Sequence, residues 1–569
     1  MRERPGRQTT VVIIAAVLVF CGATPATAEE PKYGGTLKMC NLGTNTNPLA
    51  WDNTAWAWKH GHDTGLVMEH LIMGDLQKGP RGTNEYAFHA NAWLPPDVQR
   101  GELIQSWEME KEPLALVFHL RKGIYWQEKP GIMKRREFVA DDVVYSQHRL
   151  INARKAIPTY VDWATWEARD RYTAVAKLSK WNANWGYRFA WGYYDAIQAP
   201  EQESTGKPNS WRNVCGTGPY MISNYRTGHS QIYTKNPDYW DHTTIEGRQY
   251  KLPFVDRIQY MLVRDPQTRI SALRTGKLDM LMSVDARDVA SIKESTPQLK
   301  WSRRLTTGGF MVALRMDTKP FDDIRVRRAL NLAVNQQEII ETLLNSEGER
   351  VNYPFPITFG AVYTPFGELP KSAQELYSYN PKKARRMLAE AGHPNGFTFK
   401  AQIANNSPIA LDIGVMVVAY LQKVGVKLIL EPMDYPSYMS MMLKKKHGPG
   451  YFFGSDHGNP FATIRKNFVT GQTWNPYMMS DPHVDDTFFQ TVEDLNLSQD
   501  EAFERMKKLA IYCINQAPAI WLPGGYEYNA WWPWVKNYYG EIRVGAWRSG
   551  PIFARIWVDQ ELKKKMGYK

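Results

Sequence analysis

The residues of this chain that could do chemistry form no recognised catalytic arrangement. No Gly-x-Ser-x-Gly or His-Glu-x-x-His segment occurs, so neither a hydrolase nucleophile elbow nor a zinc-protease helix is predicted. The turn Gly216-Thr217-Gly218-Pro219 lacks the Lys-Ser/Thr of a phosphate-binding loop. Asp141 and Asp142 begin an apolar-periodic segment, where Asp141 can cap the helix. We predict that the protein is not an enzyme and needs no cofactor, with a secreted hydrolase as the alternative class.

Two histidines, His60 and His62, have a spacing that could hold a metal ion. A metal site needs further ligands, and isolated histidine pairs more often pack or face solvent. No Cys-x-x-Cys or mixed Cys/His cluster is present. The sequence therefore predicts no metal site.

Aromatic residues are abundant, at 13% of the chain, with 21 Trp and 30 Tyr. Trp51, Trp56 and Trp58 follow the first predicted strand, and Asn45 and Asn47 come just before them. Stacking rings with neighbouring amides suit a sugar or peptide ligand, whereas core packing is the more common role of any single ring. We interpret Asn47 and the three tryptophans as candidate ligand-binding residues.

The N-terminal segment has the pattern of a secretory signal peptide. Arg2, Arg4 and Arg7 precede the apolar run Val11–Phe20, and Ala26-Thr27-Ala28 offers small residues for cleavage. Ten apolar residues are too few to span a bilayer, which takes about 20 in a helix. Cys21 raises lipidation as an alternative, but Phe20 before it is unsuitable. We expect cleavage after Ala28, export to the periplasm and a soluble mature chain.

Length and charge limit the class further. A chain of 569 residues exceeds one hydrophobic core, so two or three domains are expected. The formal net charge is +12, but no run of five like charges occurs, and the longest basic clusters, such as Lys444-Lys445-Lys446, have three residues. A solvated basic surface explains this pattern, so we predict no nucleic-acid partner.

Strand and helix patterns alternate along the chain, which is typical of an α/β protein. Thr36–Met39 and Leu116–Leu120 alternate as strands do. Asn380-Pro381 is a helix start, and Ala384, Met387, Leu388 and Ala391 continue it to Gly392.

A second helix is predicted from Leu411, Val415, Val418 and Leu421, ending at Gly425, with the strand Val426–Leu430 directly after it. A third amphipathic helix is predicted over Asp500–Cys513.

Motifs along nearly the whole mature chain resemble the bacterial extracellular solute-binding proteins of family 5, the peptide/opine/nickel-type group. Each motif is weak alone, but ten in order leave little room for chance. The motifs are Tyr33–Leu37, Ser106–Glu108, Phe118–Ile124, Ala140–Ser146, Gly216–Tyr220, Lys235–Trp240, Leu252–Asp256, Leu273–Asp279, Pro320–Leu330 and Gln516–Ile520.

The resemblance implies a two-lobed α/β periplasmic-binding-protein fold with the large extra subdomain of the peptide-binding class. We expect lobe I at 29–281 and 527–569, lobe II at 282–526, and a signal peptide at 1–28. It also implies hinge closure over a ligand, delivery to the permease subunits of an ABC importer, and a monomer. A disulfide between Cys40 and Cys215 is expected because both would lie in lobe I.

The segment Tyr451–Pro460 resembles the stretch in which peptide-binding members pair an aspartate with the ammonium group of the ligand. Asp456 falls on that position, with a turn cap beside Gly458 as the alternative role. Trp474 and Tyr477 follow as further aromatic candidates. We therefore expect a peptide or peptide-like ligand.

Two departures from the family pattern bear on the ligand. Ile409-Ala410-Leu411-Asp412 has no arginine where dipeptide binders hold the ligand carboxylate, and 128–136 is an unusually long basic loop. A longer peptide, an amine-bearing conjugate or a neutral oligosaccharide would not need that arginine. An oligosaccharide, opine or metal chelate is therefore the alternative ligand.

Overall fold

Two mixed β-sheets organise the chain, and each is assembled from segments that are distant in sequence. The computed structural model describes residues 30–40, 50–55, 59–153, 163–306, 308–351, 353–456 and 458–568. In both sheets some strands pair in parallel and others antiparallel, so helical connections must cover the sheet faces.

The larger sheet joins strands from both ends of the chain. Its strands, in spatial order, are β10 (Tyr220–Arg226), β11 (Ser230–Lys235), β14 (Arg257–Met261), β1 (Thr36–Cys40), β15 (Met280–Asp285), β23 (Gly524–Trp531) and β16 (Lys300–Leu305), and β18 (Gly348–Glu349) also pairs with β23. β1 is parallel to β14 and β15, whereas β23 is antiparallel to β15 and β16. The expected first strand is therefore confirmed, as one of the inner strands of this sheet.

The smaller sheet is built from the middle of the chain. Its strands, in spatial order, are β20 (Lys427–Met433), β19 (Thr398–Ala404), β21 (Gly450–Asp456), β17 (Gly308–Leu314) and β22 (Ala519–Trp521). Apart from the two-residue strand β18, the chain thus passes from the larger sheet to the smaller one between Leu305 and Gly308 and returns between Trp521 and Gly524. We call the part built on the larger sheet lobe I and the part built on the smaller sheet lobe II.

Short sheets and helices surround the two main sheets. Lobe I also carries the antiparallel sheet of β4 (Ile104–Lys111), β5 (Leu114–Leu120), β9 (Thr173–Leu178) and β8 (Ala164–Asp170). The two-stranded pairs are β2 (Ile72–Gly74) with β3 (Gln99–Gly101), β6 (Tyr125–Trp126) with β7 (Arg136–Glu137), β12 (His242–Ile245) with β13 (Arg248–Lys251), and β24 (Val535–Lys536) with β25 (Trp557–Val558).

The helices of lobe I are α1 (Lys59–Thr64), α2 (Ala140–Ile151), α3 (Trp185–Phe189), α4 (Pro200–Ser204), α5 (Pro266–Arg274), α6 (Ala286–Ser295), α16 (Gly550–Ala554) and α17 (Gln560–Lys565). Those of lobe II are α7 (Ile324–Leu332), α8 (Gln336–Leu343), α9 (Lys371–Glu375), α10 (Pro381–Glu390), α11 (Pro408–Gln422), α12 (Tyr435–Leu443), α13 (Pro460–Phe468), α14 (Pro482–Glu493) and α15 (Gln499–Asn515). Among these described helices, none combines the length and apolar composition needed to cross a membrane.

Local capping signals located two helices correctly. The Asn380 side chain accepts a hydrogen bond from the Lys383 N–H at 3.0 Å, and α10 follows with Pro381 at its first position. Gly392 then has φ +89°, a left-handed conformation in which glycine avoids the strain of a side chain. The helix predicted over Asp500–Cys513 is confirmed as α15, which begins with a capping box between Ser498 and Glu501.

The predicted cap at Asp141 is wrong. The N-cap of helix α2 is Val139, two residues before Asp141, and Val139 has an extended conformation. The Asp142 carboxylate reaches back to accept the Val139 N–H at 3.0 Å, and it also accepts hydrogen bonds from Arg136 and Trp126. Asp142 is buried and Asp141 is exposed, so the second aspartate performs the cap.

Helix α11 exists as predicted, but its buried face differs from the predicted one. Ala410, Ile413, Val417 and Leu421 pack into the lobe II core, whereas Val415 is 63% exposed. The helix crosses from β19 to β20, which are parallel strands, so it covers one face of the smaller sheet.

The predicted disulfide between Cys40 and Cys215 is wrong, since both thiols are free. Cys40 ends the inner strand β1, and Cys215 lies in a loop where its thiol donates to the Asn213 carbonyl at 3.4 Å. Burial raises the pKa of Cys40 to about 11 and that of Cys215 to about 12. Both side chains therefore behave as small apolar core groups.

Candidate functional site

A cavity of about 420 Å³ opens beside the crossings between the two lobes, and we call it the interlobe cleft. Lobe I lines it with the ends of β15 and β16, the start of β23 and the start of α6. Lobe II lines it with residues of β17, β21, α8 and the N-terminal end of α11. Its volume is within the range of ~300–1,000 Å³ that is usual for small-molecule sites.

Strand register places an ion pair on the lobe I wall of the cleft. Arg304 of β16 stands directly opposite Glu527 of β23, and its guanidinium donates to that carboxylate at 2.6 Å. Arg304 is 8% exposed and the Glu527 side chain is 33% exposed, so only the guanidinium is largely withdrawn from water. A paired charge in this position presents a fixed polar wall to a ligand.

A β-bulge in β15 shapes the same wall. The pairing of β15 with β23 shifts register between Leu281 and Val284, and Ser283 within the shift has φ +58°. The Ser283 N–H donates to the Asn529 side chain at 3.2 Å, and its hydroxyl accepts from Arg304 at 3.4 Å. Bulges re-aim side chains beside functional sites, and this one brings Ser283 into the cleft lining.

Carboxylates dominate the charged lining of the cleft. Asp285 caps α6 and is held by two side-chain bonds from Arg287 at 3.0 and 2.9 Å. Burial alone would raise the pKa of Asp285, but the bonds from Arg287 hold it below its usual value. Glu347 accepts from the hydroxyl of Tyr528 and from Arg303. Burial and the bond to Glu347 raise the pKa of Tyr528 to about 12, so this hydroxyl stays protonated.

A second, smaller cavity of about 180 Å³ adjoins the cleft inside lobe II, and we call it the side pocket. It shares Phe310, Ser407 and Gly454 with the interlobe cleft. The rest of its lining is mostly aromatic or aliphatic, from Tyr435, Tyr438, Met439, Phe452 and Trp474 among others. An apolar side chain of a ligand lying in the cleft could enter this pocket.

One ion pair links the lobes next to the cleft. Arg287 of α6 lies 3.5 Å from the carboxylate of Asp412 on α11, between guanidinium nitrogen and carboxylate oxygen. Both side chains are close to half exposed. Asp412 belongs to the segment 409–412, which contains no arginine, so this stretch carries a negative charge.

The predicted site residues fall in different places. Asp456 ends β21 with its backbone opposite Gly308, two residues from cleft-lining Gly454, and its side chain is outside the described residues. Trp474 lines the side pocket and is 37% exposed. Asn47, Trp56 and Trp58 also lie outside the described residues.

Two other predicted residues are buried and line neither cavity. Tyr477 is fully buried, stacks on Phe468 at 5.3 Å between ring centres, and donates its hydroxyl to the Met311 sulfur at 3.0 Å. Trp51 packs edge-on against Tyr225 at 5.7 Å.

Of the two histidines considered as metal ligands, His60 packs inside the protein. His60 is fully buried with its Nδ1 3.1 Å from the Ala50 carbonyl, and burial lowers its pKa. Within the described ranges no group of three metal-binding side chains occurs.

Sequence reasoning missed the ion pair and bulge that line lobe I. Arg304, Glu527 and Ser283 became neighbours only through the register of β15, β16 and β23. The available signal was positional, because the lobe boundaries were predicted at 281/282 and 526/527, and Ser283 and Glu527 line the cleft beside those positions.

Comparison with known proteins identifies the family. Residues 99–473, about two thirds of the chain, match the family model described as "Bacterial extracellular solute-binding proteins, family 5 Middle". Heme-binding protein A of Haemophilus influenzae is 27% identical over 448 residues, which cover 74% of this chain and 78% of that protein. Di/tripeptide-binding protein 1 of Pseudomonas aeruginosa is 25% identical over 478 residues, covering 80% of this chain and 82% of that protein.

Solved structures confirm the expected two-lobed α/β fold. The periplasmic binding protein DppA of Helicobacter pylori, in complex with the peptide STSA, superposes with a TM-score of 0.73 at 21% identity. The match covers 93% of this chain and 99% of that one. At this level of identity the likeness shows the fold alone, and the ligand depends on the residues of the cleft.

Proposed function

The chain belongs to family 5 of the bacterial extracellular solute-binding proteins, and we propose that it captures a peptide or peptide-like solute in the interlobe cleft and delivers it to an ABC permease. Export with cleavage after Ala28, a periplasmic location and action as a monomer without catalysis are parts of this proposal. The relatives that bind peptides support it, because they match this chain over most of its length.

The observation that carries the proposal is that both lobes line one cavity beside their crossings. Thr306 donates its N–H to the Gly525 carbonyl at 3.0 Å, which ties the outgoing and returning segments together at the cleft. Rotation about such a paired connection changes the distance between the lobe walls without breaking either sheet. A ligand that touches both walls stabilises the closed arrangement and shifts the population toward it.

The carboxylates that line the cleft can contact a positive group of a ligand, although each already pairs with an arginine. The pairs are Asp285 with Arg287, Glu347 with Arg303 and Glu527 with Arg304. Asp285, Glu347 and Glu527 line the cleft, and Arg304 is the one cation in its described lining. The chain position of Asp456, at the end of β21, suits the ammonium-binding role expected from the resemblance. An ammonium group between carboxylates gains charge-assisted hydrogen bonds, which are stronger than neutral ones.

Among its described residues, the site offers no available cation to a free carboxylate at the other end of the ligand. Helix α11 contributes Asp412 where dipeptide binders contribute arginine, and Arg287 already contacts Asp285 and Asp412. A free carboxylate at this end would meet like charge. We infer that the ligand is longer than a dipeptide or has a blocked carboxyl end.

The test is a thermal-shift and calorimetric screen of the protein without its first 28 residues. The panel holds peptides of two to eight residues, the same peptides N-acetylated, neutral oligosaccharides and hemin. A ligand at 100 times its dissociation constant adds about 2.7 kcal/mol to the free energy of unfolding and raises Tm. We expect hits among longer peptides with a free ammonium group, and none among their acetylated forms.

Asp456→Asn distinguishes the anchor from other contacts. Losing a hydrogen bond to a charged group costs about 1.5–3 kcal/mol, or roughly 10- to 150-fold in affinity. Asp486→Asn on α14 is the matched control, because it removes the same charge from an exposed helical position. Binding of hemin or neutral sugars alone, unchanged in Asp456→Asn, would overturn both the ligand class and the anchor.

A further inference from the structure

Lobe I carries a second concavity, of about 620 Å³, at the far end of its sheet from the interlobe cleft. It lies between the β12–β13 hairpin, the ends of β16 and β23, and the β24–β25 pair, and we call it the outer groove. Gly525 of β23 lines the cleft, whereas Trp531 of the same strand lines the outer groove. Six residues of strand span roughly 20 Å, so one ligand of ordinary size cannot fill both sites.

Aromatic rings form much of the wall of the outer groove. Trp301 and Trp531 stand on the neighbouring strands β16 and β23, and Trp557, Tyr538 and Tyr539 complete the set. Trp531 packs edge-on against Tyr538, with ring centres 4.9 Å apart. Tyr539 is 47% exposed, which is unusual for a large ring, and the Arg81 guanidinium lies 5.8 Å from the centre of that ring.

Four side chains of the lining hold buried donors that have no acceptor among the described residues. They are the indole N–H groups of Trp531 and Trp557, the hydroxyl of Tyr538 and the Nε–H of Arg81. Trp531 and Trp557 are each 5% exposed and Tyr538 is 4% exposed. A buried donor without an acceptor costs about 1–3 kcal/mol, so four around one groove call for an explanation.

The charges of the outer groove are mainly positive. Arg81, Lys300 and Lys536 line it, and Glu246 is the one acid in its described lining. Arg81 uses its other nitrogens on Glu541 and on the Asn537 carbonyl, so it is held in place. A smaller cavity of about 290 Å³ shares Gln77, Thr243 and Thr244 and extends the groove.

We propose that the outer groove is a second binding site, separate from the solute site in the cleft, for a small acidic saccharide. Sugar rings present flat C–H faces that pack on indole and phenol rings, and their hydroxyl and ring oxygens accept hydrogen bonds from N–H and O–H donors. A sugar carboxylate pairs with lysine and arginine. These three features match the aromatic wall, the unpaired donors and the positive charge.

The outer groove is independent of the ligand of the interlobe cleft. No residue lines both sites, and the groove residues belong to lobe I alone, so hinge motion leaves the groove unchanged. Binding at the outer groove is therefore expected whether the cleft is empty or filled.

The experiment is a titration of the protein lacking its first 28 residues with trigalacturonic acid, and with maltotriose as a neutral trisaccharide, at low salt. Isothermal calorimetry and tryptophan fluorescence are the readouts, since three of the rings are indoles. We expect saturable binding of trigalacturonic acid, at least tenfold weaker binding of maltotriose, and a fluorescence change on binding. Adding a peptide that fills the cleft should leave the titration unchanged.

Charge reversal locates the site. Lys300→Glu and Lys536→Glu should each weaken trigalacturonic acid at least tenfold, whereas Lys427→Glu on lobe II makes the same charge change at an exposed strand position and should have little effect. Circular dichroism checks that each variant is folded. Equal binding of both saccharides, no saturable binding, or loss of binding in Asp456→Asn but not in the Lys300 and Lys536 variants would overturn the proposal.

Discussion

Asp195 is a fully buried carboxyl group whose protonation couples stability to pH. Its Oδ2 accepts the Gly192 N–H at 2.7 Å, and the side chain is 1% exposed. Burial raises its pKa to about 8, although backbone hydrogen bonds and nearby Arg188 oppose the shift. At neutral pH the folded protein therefore holds Asp195 protonated, whereas the unfolded chain ionises it near its ordinary value of about 3.9.

The sign of the resulting pH dependence follows from these two values. The contribution of Asp195 to stability is fully present below about pH 4 and is lost as pH rises through about 8, by at most ~1.4 kcal/mol per pH unit. Asp195→Asn keeps an acceptor for Gly192 but cannot ionise. In urea unfolding between pH 5 and 9, the variant should gain on the wild type up to pH 8 and then stay level. A constant difference at every pH would contradict the shifted pKa.

Replacing Gly454 with a large residue should block the proposed ligand site with little damage to the fold. It lines both the interlobe cleft and the side pocket, and a methyl group added there would touch only the Phe310 ring, at 3.5 Å. Gly454→Leu must take space from one of the two cavities, so we expect at least tenfold weaker ligand binding by calorimetry with an unchanged circular dichroism spectrum. Gly454→Ala is the control, with near wild-type affinity; equal affinity in the leucine variant would exclude these cavities as the site.

For single residues, the sequence predicted which ones lie near the cavities better than it predicted what each one does there. The resemblance led to Asp456 and Trp474, which lie at or beside the cavities, because short motifs keep their place in a fold. It did not lead to Arg304 and Glu527, which are 223 residues apart in sequence and meet only across paired strands. Tyr477 shows the converse, since an aromatic residue in a motif region can equally well fill the core.

Helix caps give an element-scale test with a matched control. Asn380 accepts a hydrogen bond from the third residue of α10, whereas Ser407, in the same position before α11, makes no side-chain cap. Asn380→Ala should lower the free energy of unfolding by about 1 kcal/mol, because the Lys383 N–H at the helix start loses its acceptor. Ser407→Ala should cost only a few tenths. Equal losses in urea unfolding would show that the cap bond is not the cause.

Helices and strands could be predicted where residues close in sequence define them. The buried face of an apolar helix and the pairing partners of a strand could not. Helix α10 has polar residues around a narrow apolar stripe, so its buried Ala384 and Leu388 could be identified. Helix α11 is apolar on almost every side, so periodicity could not separate buried Val417 from exposed Val415. The order of the sheet strands depends on pairings between distant segments, which no local pattern encodes.

The two lobes touch at several places besides the connections between their sheets. Lys180 pairs with Glu493 at 2.6 Å, and the Ala183 N–H donates to the Val492 carbonyl at 2.8 Å. The ring of Trp93 packs against Phe503 with centres 5.8 Å apart. The buried contact between Trp93 and Phe503 contributes more to the interface than exposed ion pairs do. The pair of Arg287 with Asp412 therefore adjusts closure without controlling it alone.

The pair of Arg287 with Asp412 should bias the molecule toward the closed arrangement before ligand arrives. It is the ion pair that joins α6 to α11 next to the cleft, and its partners are half exposed, so it is worth about 0.2–1 kcal/mol. Asp412→Asn should then lower the closed population by up to about fivefold. Because apparent affinity scales with the competent population, the dissociation constant should rise by the same factor.

Salt separates this effect from a direct contact between Asp412 and the ligand. Exposed ion pairs are screened at high ionic strength, so wild-type affinity should fall toward that of Asp412→Asn in 1 M salt, while the variant changes less. Calorimetry gives the affinities, and interlobe fluorescence energy transfer gives the closed fraction. Glu390→Gln is the control, because it breaks an exposed pair within α10 alone. If the closed fraction without ligand is the same in Asp412→Asn and wild type, the pair does not bias closure, and any loss of affinity comes from the ligand contact itself.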